Sequence, residues 1–230
     1  MAEVLHKIEE SIKPGISTLY LDKIAERYIK SRGGIPAFKG YKGYPATICA
    51  SVNEEVVHGI PSQDKILKEG DIISIDVGVK YRGYYGDAAR TFAVGDVSEE
   101  AKELIRVTRE SLSIGISVAK KGARIGDIGE AIQSYVEAHG FSVVRDYAGH
   151  GIGRNLHESP QVPNFGRRGT GPVLEEGMLL AIEPMVNAGG YEVEVLADGW
   201  TVVTKDRSLS AHFENTILVR REDALILTQI

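Results

Sequence analysis

A nine-residue string occurs twice in this chain, in related form. Lys68-Glu-Gly-Asp-Ile-Ile-Ser-Ile-Asp76 aligns with Glu175-Glu-Gly-Met-Leu-Leu-Ala-Ile-Glu183 at an offset of 107 positions (183 − 76). The same offset relates Gly15 to Gly122, Tyr28 to Tyr135 and Gly33 to Gly140. A nearby offset of 99 sets His58-Gly-Ile-Pro61 against His157-Glu-Ser-Pro160. After an insertion, Tyr85-Gly-Asp-Ala88 is answered by His212-Phe-Glu-Asn215. Matches in one order at one offset are the mark of an internal duplication, which restricts the chain to folds with two equivalent halves.

Each half reads as two helices followed by strands. Helical spacing appears at Val4, Leu5, Ile8 and Ile12, then at Leu21, Ile24, Ala25, Tyr28 and Ile29, ending at Gly33-Gly34. It recurs at Ala101, Leu104, Ile105 and Leu112, then at Ile125, Ile128, Ile132, Tyr135 and Val136, ending at Gly140. The expected organisation is one αβ domain over 1–230, with repeat halves at about 1–95 and 96–230. Ser98 reads as the N-cap of the second half's first helix, with Glu99 and Glu100 in its opening turn. Its counterpart falls at position −9 (98 − 107), so the first helix is expected to begin ahead of Met1 and the N-terminus to be truncated.

The run Ile72 to Val79 alternates as a strand, with Ile73, Ile75, Val77 and Val79 on one face and Ser74, Asp76 and Gly78 on the other. The chain turns at Lys80-Tyr-Arg-Gly83 and returns through Phe92. A turn centred between Tyr81 and Arg82 sets Asp76 directly opposite Asp87 (76 + 87 = 81 + 82). Like charges so placed repel. The duplication adds Glu183 to Asp76, Glu214 to Asp87 and His157 to His58, so six residues are expected to converge where the halves meet. Four carboxylates cannot all stay ionised in a protected cleft without cations. Oxygen ligands with histidine suit Mn²⁺, Fe²⁺, Co²⁺ or Zn²⁺, and such a set suffices for two divalent ions. Taken singly, each acid also reads as a solvated strand or turn residue, and each histidine, His212 included, as a structural one. The repeat that relates them favours metal.

Other chemistries find less support. Gly149-His-Gly-Ile-Gly153 lacks the spacing of a dinucleotide loop, and its glycines are expected to let backbone pass close to the metals while presenting His150. No G-x-S-x-G elbow occurs. The net charge of −5, without a Lys/Arg run longer than a pair, gives no nucleic-acid footprint. Cys49 stands alone, which suits a reducing compartment. The charged start is no signal peptide, and no segment approaches 18 consecutive apolar residues. A soluble cytoplasmic protein without a membrane partner is expected.

Asp76, Asp87, His150, Glu183 and Glu214, in the settings Asp-Val-Gly, Gly-Asp, Gly-His-Gly-Ile-Gly, Ile-Glu-Pro-Met and His-Phe-Glu-Asn-Thr, resemble the metal-ligand set of the methionine aminopeptidases. The resemblance runs from Met1 to Ile230. Only 26 positions separate His157 from Glu183 (183 − 157), which leaves no room for the extra subdomain of type II enzymes and points to the bacterial type I. It implies the pita-bread α/β fold, two αβ halves around a curved antiparallel sheet. It implies that Asp76 chelates one metal, that Asp87 and Glu214 bridge both, and that His150 and Glu183 hold the other. A hydroxide bridging the ions would attack the first peptide bond, Glu183 would shuttle the proton, His157 would stabilise the oxyanion, and His58 would face the leaving amide. Phe38, Tyr41, Tyr44, Cys49, Leu156 and Trp200 fall where the family builds its methionine pocket, with Leu156 where some members carry an aromatic ring. The implied substrate is the N-terminal Met of nascent polypeptides with a small second residue, met near the ribosome by a monomer. Two other readings stay open: an Xaa-Pro peptidase, and a non-catalytic peptide-binding member of the fold.

Overall fold

The computed structural model describes residues 1–229. The first half opens with α1 (Ala2–Glu9) and α2 (Thr18–Ser31). Ser17 caps α2 by accepting the Tyr20 N–H at 3.3 Å, and Leu21, Ala25 and Ile29 line its buried face. The strands follow: β1 (Ile35–Pro36), β2 (Cys49–Val52), β3 (Glu55–Val57), β4 (Ile72–Tyr81) and β5 (Tyr84–Ala93). Ile8, Leu21, Ile29, Ile48, Ile73 and Ile75 are fully buried between helices and sheet. Each such side chain contributes about 1.5–3 kcal/mol by leaving water.

The second half repeats the scheme with α3 (Glu99–Val118) and α4 (Ile125–Ala138). Ser98 caps α3 through the Ala101 N–H, as its place before Glu99 and Glu100 indicates. Then come β6 (Ser142–Val143), β7 (Ala148–Gly151), β8 (Glu158–Pro163), β9 (Leu179–Ile182), β10 (Met185–Asn187), β11 (Val193–Val195), β12 (Val202–Thr204), β13 (Ser210–His212), β14 (Asn215–Val219) and β15 (Ala224–Ile226). The offset of 107 holds in three dimensions. α2 and α4 are both 14 residues long and begin 107 positions apart (125 − 18). The isolated bridges Ser17–Ile66 and Arg124–Val173 match at that offset. So do the left-handed turns at Gly33 (φ 74°) and Gly140 (φ 81°) that end the two helices.

β4 is flanked by β1 and β2 and pairs with β5, all antiparallel; in the second half the order is β15-β14-β9-β7-β8. The halves meet where β5 runs beside β13 and β14. The Glu214 N–H donates to the Ala89 carbonyl at 2.9 Å, while Thr216 Oγ1 accepts the Asp87 N–H and donates to the Asp87 carbonyl. Thr91 Oγ1 does the same for His212.

The hairpin register differs from the expectation. Tyr81 pairs with Tyr84, so the turn is Arg82-Gly83, with φ of 50° and 88°. This two-residue turn with both centres left-handed matches the twist of its strands. Asp76 therefore faces Ala89 and Asp87 faces Gly78. The shift is two residues, one full side-chain period, so both acids keep the same face and become diagonal neighbours. Gly78 has its own reason: a Cβ there would lie 2.5 Å from the Phe38 ring.

Candidate metal centre

Strands, or the residues at their ends, deliver every acid. β4 and β5 carry Asp76 and Asp87. β9 ends one residue before Glu183, and β14 starts one residue after Glu214. Their ladder pairs Ile182 with Asn215, so its next rung sets Glu183 against Glu214. β7 supplies His150. Gly149 and Gly151 serve the neighbouring strands rather than a close pass by metal: a Cβ at either would lie 2.3 Å from a carbonyl oxygen, of Ala181 or Ser159.

Asp87, His150 and Glu214 each offer one ligand atom, all within 4.8 Å of one another. Asp76 lies close enough to Asp87 to feel its charge, and Glu183 Oε1 lies 3.5 Å from His150 Nε2. Asp87, His150 and Glu214 are buried; Asp76 and Glu183 are partly so. Burial drives all four carboxyls upward from the ordinary range. Repulsion adds to this, from Asp87 and Glu183 on Asp76 and from Asp87, Glu183 and Asp76 on Glu214. Asp76 Oδ1 and Glu214 Oε1 are buried without a hydrogen-bond partner. His150 Nδ1 lies 2.9 Å from the Gly151 carbonyl, which can only accept. The proton therefore sits on Nδ1, and Nε2 turns its lone pair to the acids. Crowded carboxylates, orphaned oxygens and an oriented imidazole fit divalent metal cations.

A cavity of about 220 Å³ opens above this floor, lined by the four acids, His150, His58 and His157 and by all six expected pocket residues. Tyr41 stacks on His157 at 5.2 Å, and His157 tilts against His150 at 4.1 Å. His58 meets Tyr147 at 5.5 Å and Trp200 at 6.3 Å, edge to face. Tyr44 packs on Trp200, and its hydroxyl donates to the Ile48 and Gly59 carbonyls. Burial holds the Cys49 thiol above its ordinary pKa, so it is a neutral apolar wall. Burial, with His150 and Lys42 adding, lowers His157 to about 4.

Several neighbours of the acids carry little or no signal in the sequence. His212, expected to be a structural histidine, is buried with Nε2 unpartnered and 3.7 Å from Glu183 Oε2. Its position two residues before Glu214 was the available signal, since i and i+2 share a strand face. Arg90 donates to the carbonyls of Ala89 and Glu214 and to Asn215 Oδ1, tying the halves together behind the acids. Tyr147, Val57, Met185 and Lys42 also line the cavity. No local pattern marked them.

A methionine aminopeptidase of Clostridium acetobutylicum is 55% identical over 228 residues, 99% of this chain and 91% of that protein. The crystal structure of a methionine aminopeptidase from Thermotoga maritima superposes with a TM-score of 0.98 at 52% identity, covering 100% of this chain and 92% of that one. A prolidase from Pyrococcus furiosus shares the fold alone: TM-score 0.79, 23% identity, and 100% of this chain over 60% of that one. Repeated αβ halves joined over a buried carboxylate–imidazole cluster place the chain among pita-bread metalloproteins. The model of metallopeptidase family M24 matches residues 1–221, and the chain belongs to that family.

Proposed function

We propose that this chain is a metal-dependent aminopeptidase that releases the N-terminal methionine of polypeptides whose second residue is small. The observation that carries it is the cavity itself, with four acids and His150 on its floor and apolar, aromatic and sulfur groups on its walls. In this reading Asp76, Asp87, His150, Glu183 and Glu214 would hold the divalent cations. Once bound, such ions supply Lewis acidity and raise the acidity of water at neutral pH.

The chain's own groups do the rest. The Glu183 carboxylate accepts the proton of the attacking water and returns it to the leaving amide nitrogen. His157, kept neutral by burial, donates its ring N–H to the carbonyl oxygen as charge develops there. His58, also pushed toward its neutral form by burial, faces the leaving amide. Phe38, Tyr41, Tyr44, Cys49, Leu156 and Trp200 enclose the methionine, whose thioether suits aromatic edges and a neutral thiol. The substrate is a nascent chain near the ribosome, met in the cytoplasm by a monomer.

The test is release of free methionine from Met-Ala-Ser by protein stripped with chelator and then titrated with Mn²⁺ or Co²⁺. Metal-restored release is expected, with Xaa-Pro dipeptides left intact. Cleavage of Xaa-Pro peptides instead would assign a prolidase-like activity. Metal binding without cleavage of either would leave a peptide-binding protein.

A further inference from the structure

One cation at the cavity mouth has no acidic partner. Several lysines form no ion pair among the described residues, but Lys42 is the one lysine among them that lines the cavity. Among the described residues no carboxylate oxygen lies within 4.0 Å of its ammonium. Its backbone is left-handed at φ 49°, between Gly40 at 88° and Gly43 at 91°. Lysine rarely adopts that conformation, and such strain persists only where the surroundings impose it. Here a short loop imposes it: the Gly40 N–H donates to the Tyr44 carbonyl at 2.8 Å, and Tyr44 is pinned by its hydroxyl. The ammonium sits 5.5 Å from the centre of the Tyr41 ring.

Tyr41, His157 and His150 then form a ladder from rim to floor, with ring separations of 5.2 and 4.1 Å. From Lys42 to His150 the ladder spans at most about four extended residues at ~3.5 Å each. The cavity is thus polarised, acids at the bottom and an unpaired cation at the mouth. A peptide entering amine first would bring its third or fourth residue to Lys42.

We propose that Lys42 is a specificity-determining residue that recognises a carboxylate on the leaving side of the peptide. That group is either an acidic side chain at the third or fourth residue or the C-terminal carboxylate of a short peptide. This rests on the aminopeptidase reading and extends it to the far end of the substrate. A partly solvated ion pair of this kind changes KM by about two- to five-fold.

The experiment compares Met-Ala-Asp-Gly-amide with Met-Ala-Asn-Gly-amide, and Met-Ala-Gly with its amide, using the Mn²⁺-loaded parent, Lys42→Gln and Lys42→Arg. The parent is expected to favour the charged member of at least one pair through KM rather than kcat. Lys42→Arg should keep the preference, while Lys42→Gln and high salt should abolish it. The first pair reports a side-chain carboxylate and the second a terminal one. Equal ratios in the parent and Lys42→Gln overturn the proposal. If no peptide is cleaved, the aminopeptidase reading fails separately. The chain's single tryptophan, Trp200, lines the cavity, so its fluorescence still reports whether Lys42→Gln loses the charge preference in binding.

Discussion

Cys49 and Ala148 occupy equivalent places in the two halves, and two residues beyond them the halves part company: Ser51 in one, His150 in the other. The offset is 99 for both pairs (148 − 49 and 150 − 51), the same that relates His58 to His157. Cys49 pairs with Asp76, and the β7–β9 ladder, continued by two rungs, sets Ala148 beside Glu183. Ser51 Oγ accepts the Gly59 N–H at 3.1 Å and so serves the backbone, whereas His150 faces the acids. α2 and α4 show a second divergence. Asp22 on α2 accepts the N–H groups of Thr47 and Ile48 at 2.8 and 3.0 Å, holding down the segment that follows Tyr44. Its counterpart on α4 is Gly129 (22 + 107), where a Cβ would lie 2.4 Å from the Phe165 carbonyl. Equivalent places keep a common backbone geometry while their side chains do different work. Register depends on strand pairing, which tolerates such exchanges.

Removing the acid assigned the proton transfer should have the largest effect. Glu183→Gln is expected to lower kcat for methionine release by about 10²–10⁴-fold, and a loss under tenfold would move that role to another acid. Arg90→Met cuts one of the ties between the halves and removes one donor each from the Ala89 and Glu214 carbonyls and Asn215 Oδ1. The Ala89 carbonyl keeps the Glu214 N–H and Asn215 Oδ1 keeps the Thr228 hydroxyl, so the Glu214 carbonyl carries the cost and a loss of about 1–3 kcal/mol in denaturant unfolding is expected; an unchanged midpoint would show that the halves hold without it.

Giving the second half the first half's residue tests the asymmetry directly. His150→Ser should weaken one of two Mn²⁺ binding events in calorimetry by at least about 10- to 100-fold, the range that even a ligand's supporting partner commands. Equal weakening of both events would mean the ions share His150's influence.

The smallest effect concerns Asp22, whose carboxyl is raised by burial against the pull of its two N–H donors. A raised folded pKa gives stability that is full below the unfolded value, about 3.9, and is lost as pH rises through the folded one. Asp22→Asn does not titrate, and its amide oxygen can keep both bonds, since both N–H groups donate to Oδ1. The variant should therefore gain on the parent as pH rises from acid to neutral. Chemical denaturation at several pH values reads this, and a gap that shrinks with rising pH would reverse the assignment.

The helices and the repeat were legible because apolar spacing and turn glycines are local signals. Ser98 announced α3, and Gly33 and Gly140 closed two matched helices. The acids were legible through repetition, since no single one stood out from an ordinary strand residue. Lys42 gave no such signal: its place depends on a strained loop and on a cavity wall drawn from both halves.

The sequence by itself determined the periodicities, the duplicated order and the strand face on which Asp76 and Asp87 lie, because side chains alternate with period two whatever the rung. Only the tertiary structure decided the rung, setting Gly78 rather than Asp76 against Asp87, and brought His212 and Arg90 to the acids. Contacts between residues more than a hundred positions apart, such as Arg90 with Asn215, carry no local pattern. They exist because burying two amphipathic halves against each other sets β5 beside β14.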